Sequence, residues 1–320
     1  MKPVGGTLLV LDVGSTNTRA WLVVDGAIIE RRTAPVGVRD TATTGSDTLL
    51  RQNLAALVAE LSLVRAPAMI AAAGMITSAQ GLREITHVPA PACVTDLARH
   101  AVVYRDDAIA PVPILLVPGV RTTGAAIDLT ADVMRGEETL VIGLLATGHL
   151  VAGECLLNAG SHWKLIETDS ASRIIRSRTS LGGELMHAVQ SHTLLSASLP
   201  QQTLTSPDLD ALEAGARAAR TQGLLRALFG VRLLDQAGEL SAESRLSWLA
   251  GACIAEDLRG LEQSGWVPRS TPIAVAGPGA MPGAWCHMLA GMGAVARPLS
   301  ATSIEESFVA GLLAIVAATR

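Results

Sequence analysis

The sequence predicts an α/β protein of two domains, each built on a mixed β-sheet with helices. Three observations carry that expectation: an internal repeat, an element order that restarts at the repeat, and a length sufficient for two cores. Residues 11–33 read LDVGSTNTRAWLVVDGAIIERRT and residues 157–179 read LNAGSHWKLIETDSASRIIRSRT. At a constant offset of 146 residues, seven positions match: Leu11/Leu157, Gly14/Gly160, Ser15/Ser161, Ile28/Ile174, Ile29/Ile175, Arg32/Arg178 and Thr33/Thr179. Composition alone gives roughly two matches over such a window. In each half an apolar strand runs into a polar residue and then x-Gly-Ser, followed by an extended segment, a turn and another strand. Two such units suggest two glycine turns gripping one polyphosphate, with a cleft between two mixed sheets.

The elements follow in order. Residues 7–13 form a β-rich apolar run, and 18–24 and 27–33 continue as strands around an Asp25-Gly26 hairpin turn. Residues 46–61 carry a helical apolar face of Leu49, Leu50, Leu54, Leu57, Val58 and Leu61, with Ser46 or Asp47 as the cap. A buried strand at 68–73 ends at Gly74. A Pro-rich stretch at 88–91 is expected on the surface, another strand spans 114–117, and 137–147 reads as a helix. The second half restarts with strands at 153–158, 162–167 and 173–178 and a helix from about 182. Residues 207–262 read as an insertion of two helices, 207–229 and 243–261, and the arginines from Arg217 to Arg232 as a solvated helix face. Ile273–Ala276 then runs into Gly277 as Met69–Ala73 runs into Gly74, and helix, strand and helix finish the chain. The expected domains are 1–148 and 149–320.

With 320 residues, each half can bury its own core. A composition of 49% hydrophobic and 17% charged residues describes a packed protein rather than a disordered chain. A net charge of −4 without a basic run gives no support to nucleic-acid or anionic-membrane binding. The cysteines Cys93, Cys155, Cys253 and Cys286 are far apart and form no zinc spacing, so they read as free thiols in a reducing cytoplasm. The N-terminal apolar stretch ends at Asp12, too early for a signal peptide, and the apolar run Phe308–Ala318 is short of a membrane span. A cytoplasmic protein is expected.

Four segments carry chemistry. In Asp12-Val13-Gly14-Ser15-Thr16-Asn17-Thr18-Arg19, Gly14 permits a tight turn, and the N–H groups of Ser15, Thr16 and Asn17 can point at phosphate oxygens. Asp12, at the strand end, suits Mg2+ held through water. The competing reading is an ordinary hairpin, and the echo at Asn158-Ala159-Gly160-Ser161-His162 tells against it. His162 and Lys164, beside Gly160, are candidates to contact phosphate or substrate, although a lone His is more often structural. Asp132-Val133-Met134-Arg135-Gly136-Glu137-Glu138-Thr139 puts two acids in the first turn of a helix. Alone they would read as compensation of the helix dipole; between two glycine turns they are candidates for a general base. Glu138 is taken first, with Glu137 and Asp132 as the alternatives. Gly74-Met75-Ile76-Thr77-Ser78 leaves a strand end with small and polar groups that suit a sugar-like ligand, or is a plain β-to-α loop. Gly277-Pro278-Gly279 leaves room for an adenine or ribose, or is a simple turn.

Together these segments resemble the sugar kinase/actin/Hsp70 ATPase superfamily, and within it the 2-dehydro-3-deoxygalactonokinase family over essentially the full length. The family's DxGSTNxRAW is matched by Asp12 to Trp21, and its MRGEET by Met134 to Thr139. Its Gly-Met-x-x-Ser is matched by Gly74 to Ser78, followed by Val88-Pro89-Ala90, and its next Pro-Gly by Pro118-Gly119. Its PGTHxKW is partly matched by Ala159 to Leu165, and its TGEL by Gly183-Glu184-Leu185, with Gly182 in place of the threonine. Its C-terminal Gly-Thr-Ser is here Gly277-Pro278-Gly279.

The resemblance implies two ribonuclease H-like (actin-like ATPase) domains with an interdomain cleft. The first would hold the phosphate turn, sugar loop and catalytic acids; the second would hold the other phosphate turn, the helical insertion and the nucleotide pocket. It implies ATP-dependent phosphorylation of 2-dehydro-3-deoxy-D-galactonate at O6, with ATP and Mg2+ required. The site it implies comprises Glu138, Glu137 and Asp132 as catalytic acids and Asp12 toward the metal. Gly14, Ser15, Thr16, Asn17, Arg19, Gly160, Ser161, His162 and Lys164 would serve the phosphates, Gly277 and Gly279 the nucleoside. Gly74, Met75, Ser78 and Arg135 would serve the sugar acid. Sugar acid and ATP are the partners expected, a homodimer is allowed for, and nucleic acid and membrane are not expected. The alternatives are a kinase of another sugar or sugar acid and a non-catalytic sensor; retention of Asp12, Glu137 and Glu138 tells against the sensor.

Overall fold

A computed structural model describes residues 6–267 and 270–319. The chain forms two compact units. The first is made of Met1–Ala152, Thr168–Ser177 and Thr302–Arg320, the second of Gly153–Glu167 and Arg178–Ala301. The expected boundary near 148 thus lies close to the first crossing, while packing groups the C-terminal helix with the first unit.

In the first unit β1 (Thr7–Val13), β2 (Thr18–Val24) and β3 (Ala27–Ala34) form an antiparallel meander. Its second turn is Asp25-Gly26, with φ of 49° and 88°, the twist that a two-residue hairpin favours. Helices α1 (Val38–Thr44) and α2 (Thr48–Val64) lead to β4 (Met69–Gly74), which pairs parallel with β1. After a 3-10 turn at Met75–Thr77 come β5 (Val88–Pro89), α3 (Val94–His100), β6 (Val102–Asp106) and β7 (Ala110–Leu116). Next are β8 (Val120–Thr122), β9 (Asp132–Met134) and α4 (Glu137–Thr147). The main sheet runs β3-β2-β1-β4-β7-β6, and β5-β8-β9 form a small second sheet. In the Pro-rich stretch at 88–91, expected on the surface, Pro89 and Pro91 are exposed, while Val88 is buried in that small sheet.

The second unit repeats the plan. β10 (Cys155–Ala159), β11 (Trp163–Thr168) and β12 (Ile174–Ser180) precede α5 (Gly182–His192). The insertion contains three helices, α6 (Leu209–Gln222), α7 (Leu224–Ala237) and α8 (Ala242–Gln263), where two were expected. Gly223, at φ 83°, ends α6 inside the segment that reads as one continuous apolar face. Arg217, Arg220 and Arg226 are exposed, as a solvated face requires. β13 (Ile273–Ala276), α9 (Met281–Ala290) and β14 (Ala296–Pro298) follow, and the sheet order is β12-β11-β10-β13-β14. Both units therefore share a hairpin-led order, with the first strand pairing parallel to the strand that follows the helical crossover.

The registers correct the gap-free repeat. Asp12 faces Arg19 and Val13 faces Thr18 in the first hairpin; Asn158 faces Lys164 and Ala159 faces Trp163 in the second. The connecting turns are residues 14–17 and 160–162, so the second is one residue shorter. Beyond the turn Arg19 corresponds to Lys164, not to Leu165.

Helix α10 (Ala301–Ala318) closes the chain. By length and composition it is apolar enough to cross a membrane, longer than the run Phe308–Ala318 suggests. Here it is a packed helix of the first unit. A Cβ on Gly143 of α4 would overlap the Ser307 carbonyl, and one on Gly311 would overlap the Thr139 carbonyl, so α4 and α10 touch backbone to backbone. Trp21 donates its indole N–H to Glu305 at 2.6 Å, and Arg31 Nε donates to both oxygens of that carboxylate at 2.9 Å. These contacts fix the helix whose first turn carries the paired acids.

Candidate active site

β1 delivers Asp12 to the C-terminal end of the first sheet, with Arg19 opposite on β2. Arg19 Nη1 donates to Asp12 Oδ2 at 2.9 Å. The other oxygen, Oδ1, faces two glycines: a Cβ on Gly74 would stand 3.2 Å from it, and one on Gly136 4.0 Å. Gly74 (φ 89°) and Gly136 (φ 106°) abut each other and hold backbone conformations that glycine favours. A side chain at Gly74 would press on Asp12, and one at Gly136 would crowd Gly74, whose Cα lies 3.3 Å from the added Cβ. Burial pushes the Asp12 carboxyl above its ordinary range; Arg19 opposes the shift and the Glu137 carboxylate adds to it. Asp12 and Glu137 thus form an acidic pair beside the Gly74–Gly136 contact.

The two acids of α4 diverge, as adjacent helical residues do. Glu138 is fully buried, and both its carboxylate oxygens accept from the Gly136 N–H, at 2.8 and 2.9 Å. Thr139 donates to the same carboxylate at 3.3 Å. Glu137 is half-buried and accepts from the Arg135 N–H at 3.2 Å. The preference for Glu138 as the group presented to a ligand does not fit this geometry, because its carboxylate is buried around the start of its own helix. Asp132, on β9, accepts from Ser177 at 2.7 Å and stands opposite Thr122, so it braces the small sheet.

Arg135 reaches from the same motif into the loop after β4. Nη1 donates to Thr77 Oγ1 at 2.9 Å, Nη2 donates to the Ile85 carbonyl at 2.8 Å, and Nη2 lies 3.4 Å from His87 Nδ1. Gly119 makes room for this, since a Cβ there would stand 2.7 Å from Arg135 Cγ. Met75 is half-buried in the short 3-10 turn, and the Ser78 hydroxyl donates to its carbonyl at 2.7 Å. That bond occupies the donor of Ser78 with loop structure.

Both glycine turns dock on a helix start by the same device. In the first unit Gly14 N–H closes the turn on Asn17 O at 2.8 Å, while Val38 and Arg39 N–H donate to the Gly14 and Ser15 carbonyls at 3.2 and 2.8 Å. Gly37 allows this approach: a Cβ there would stand 2.5 Å from the Ser15 carbonyl. In the second unit Glu184 N–H donates to Ser161 O at 2.7 Å, and a Cβ on Gly183 would overlap the Gly160 carbonyl. With the turn carbonyls held by the helix, Thr16 and Asn17 in one turn and Ser161 in the other remain exposed. Gly37 is not singled out by the sequence, and Gly183 enters only through the TGEL match; the shared signal is a glycine at the start of the helix after each meander.

His162 Nε2 lies 3.1 Å from Glu184 Oε2, and Lys164 is buried opposite Asn158. Gly277 approaches Ala159, where a Cβ would stand 3.1 Å from the Ala159 Cβ. Gly279 (φ 56°) lies against Leu204, whose carbonyl accepts from Ala280 N–H at 2.8 Å. The Gly277-Pro278-Gly279 turn therefore runs from the strand beside the second glycine turn to the loop before α6. Among the described residues no cluster of three or more His, Cys, Asp or Glu side chains forms a metal cage. All four cysteines are free; Cys155 and Cys253 are buried, Cys93 and Cys286 partly so.

The sequence model of 2-keto-3-deoxy-galactonokinase matches residues 12–315. The chain belongs to the 2-keto-3-deoxy-galactonokinase family. It is 31% identical over 255 residues to the 2-dehydro-3-deoxygalactonokinase of Escherichia coli K12, covering 78% of each chain. A crystal structure of a Sinorhizobium meliloti protein, named as a 2-dehydro-3-deoxygalactonokinase candidate, superposes with a TM-score of 0.75 at 26% identity over 98% of both chains. Component A of (R)-2-hydroxyglutaryl-CoA dehydratase from Acidaminococcus fermentans shares the fold at 14% identity, with a TM-score of 0.53 over 99% of this chain and 100% of that one. The fold is that of the actin-like ATPases, and this family member is an ATP-dependent sugar-acid kinase.

Proposed function

We propose that the chain transfers the γ-phosphoryl group of ATP to the C6 hydroxyl of 2-dehydro-3-deoxy-D-galactonate. The observation that carries this reading is the acidic pair Asp12 and Glu137 beside the Gly74–Gly136 contact, in a member of this kinase family. Glu137 is the proposed proton acceptor. As the hydroxyl oxygen attacks phosphorus, its proton passes to the Glu137 carboxylate, the bond to the β–γ bridging oxygen breaks, and ADP leaves. Arg19 and the N–H groups of residues 15–17 are assigned to phosphate oxygens, as are those around Gly160 and Ser161.

The donor set fits Mg2+: the Glu137 carboxylate raises the proton affinity of Asp12, and a hard divalent cation held by Asp12 relieves that repulsion. Asp12 Oδ1 would hold it, and the bound ion would neutralise charge on the β- and γ-phosphates. Lys164 and His162 are assigned to support of the second turn, and Gly277 and Gly279 to the nucleoside side.

A coupled ADP-release assay tests the reading against a panel of 2-keto-3-deoxy acids, aldonates and neutral hexoses. The highest kcat/KM is expected for 2-dehydro-3-deoxy-D-galactonate. Higher kcat/KM for a neutral hexose, or ATP consumption independent of any sugar, would overturn it.

A further inference from the structure

Arg135 is a cation in an unusual setting. It is half-buried, and burial pulls its guanidinium below the ordinary arginine value, with Glu138 and Glu84 only partly countering this through space. Its three side-chain hydrogen-bond partners are a hydroxyl, a backbone carbonyl and an imidazole nitrogen; none is a carboxylate. Holding a guanidinium away from water without a directly bonded carboxylate is unfavourable unless an anion completes the site. Three of its five N–H donors are used, which leaves donors for a further acceptor.

Its place in the fold says which anion. Arg135 and Glu137 flank Gly136, and Gly136 packs on Gly74 beside Asp12. Asp12, one of the acids assigned to the reaction, lies against that glycine contact, and the Arg135 guanidinium next to Gly136 is fixed by Thr77 and Ile85 of the loop that follows Gly74. A substrate with a hydroxyl at one end and a carboxylate at the other matches this polarity, and the planar arginine fork suits a carboxylate better than it suits a neutral hydroxyl.

We propose that Arg135 binds the C1 carboxylate of the sugar acid and is the residue that makes the enzyme select acids over neutral sugars. This rests on the sugar-acid kinase reading above. The Thr77, Ile85 and His87 contacts hold the guanidinium in place before substrate arrives. That preorganisation lets the site penalise a ligand that brings no negative charge.

The test compares 2-dehydro-3-deoxy-D-galactonate with its primary amide, a neutral analogue of nearly the same size. The native enzyme is expected to favour the acid by about 100-fold in kcat/KM, the scale of a hydrogen bond to a charged group. Arg135→Gln is expected to remove that preference by lowering kcat/KM for the acid far more than for the amide, so that the ratio of the two falls toward one. Arg135→Lys keeps the charge without the fork and should retain part of the preference. Pyruvate, which carries the same 2-keto carboxylate end, should compete with substrate in the native enzyme and not in Arg135→Gln. Equal losses for acid and amide in Arg135→Gln, with pyruvate still competing in the native enzyme, would reduce Arg135 to a loop brace and overturn the inference. Should the Gln variant fail to fold, the native selectivity and the Lys variant decide. Equal native turnover of acid and amide overturns the inference alone, whereas no turnover of any sugar acid overturns the functional reading with it.

Discussion

Both carboxylate oxygens of Glu138 accept from the Gly136 N–H, at 2.8 and 2.9 Å, and this bond sets the two acids of α4 in different surroundings. Gly136 holds φ at 106°, which directs its N–H back at the buried Glu138 side chain. Glu137, one residue earlier, is left beside Asp12.

The first prediction concerns that division. Glu137→Gln should lower kcat by about 100-fold or more, the scale of general-base catalysis, with little change in melting temperature. Glu138→Ala should instead lower stability by about 1–3 kcal/mol, because it strips the acceptor from a buried N–H. Steady-state kinetics and denaturant melts on both variants check this. The reverse pattern would return the base to Glu138.

Asp12 gives a prediction with opposite signs for stability and turnover. Its folded-state pKa lies above the ordinary 3.8, so folding favours the protonated form. The ionised carboxylate at neutral pH therefore lowers stability, and that loss fades as pH falls through the folded pKa toward 3.8 and below. Asp12→Asn should raise the melting temperature at pH 7, lose the advantage in acid, and abolish most turnover. Mg2+ with ATP should raise the melting temperature of the native protein more than that of the variant. An Asn variant less stable than the parent at pH 7 would contradict the sign.

How much of this was legible in sequence depended on the kind of signal. β1 to β3 and α4 follow from alternating or continuous apolar runs with a turn dipeptide or glycine at their ends, and they lie where the pattern puts them. The split of the insertion into three helices was hidden because Gly223 sits inside a run whose apolar spacing continues past it. The equivalence of Arg19 and Lys164 was hidden by a turn one residue shorter, which a gap-free comparison cannot register. The site motifs were visible as residue types, but the choice between Glu137 and Glu138 turns on a backbone angle at Gly136 that no residue pattern encodes.

The glycines under the two turns assigned to phosphate make a third prediction. Gly37→Ala and Gly183→Ala should each push a turn off its helix, weaken ATP binding by about 10-fold or more, and lower stability by about 1–3 kcal/mol. Gly283, helical with open space where a Cβ would go, serves as the control. Its change to Ala should be neutral or stabilising by about 0.5–1 kcal/mol. Calorimetric titration with ATP is the measurement, and unchanged affinity in both turn variants would remove the turns from the nucleotide site.

The α4–α10 contact predicts that Gly143→Ala and Gly311→Ala destabilise by about 1–3 kcal/mol or more, since each inserts a methyl against a backbone carbonyl. Thermal melts check it. Equal stability in both variants would mean that the helices part without loss.

The central claim is that Asp12 and Glu137 direct the phosphoryl group of ATP to the C6 hydroxyl of a sugar acid. Proton-coupled phosphorus NMR of the product formed from ATP and 2-dehydro-3-deoxy-D-galactonate tests it most directly. The account predicts one new phosphomonoester resonance, split by the two C6 protons, formed in a one-to-one ratio with ADP and absent with Glu137→Gln on the same timescale. A phosphoester on another carbon, free phosphate in place of the ester, or an undiminished signal with Glu137→Gln would contradict it.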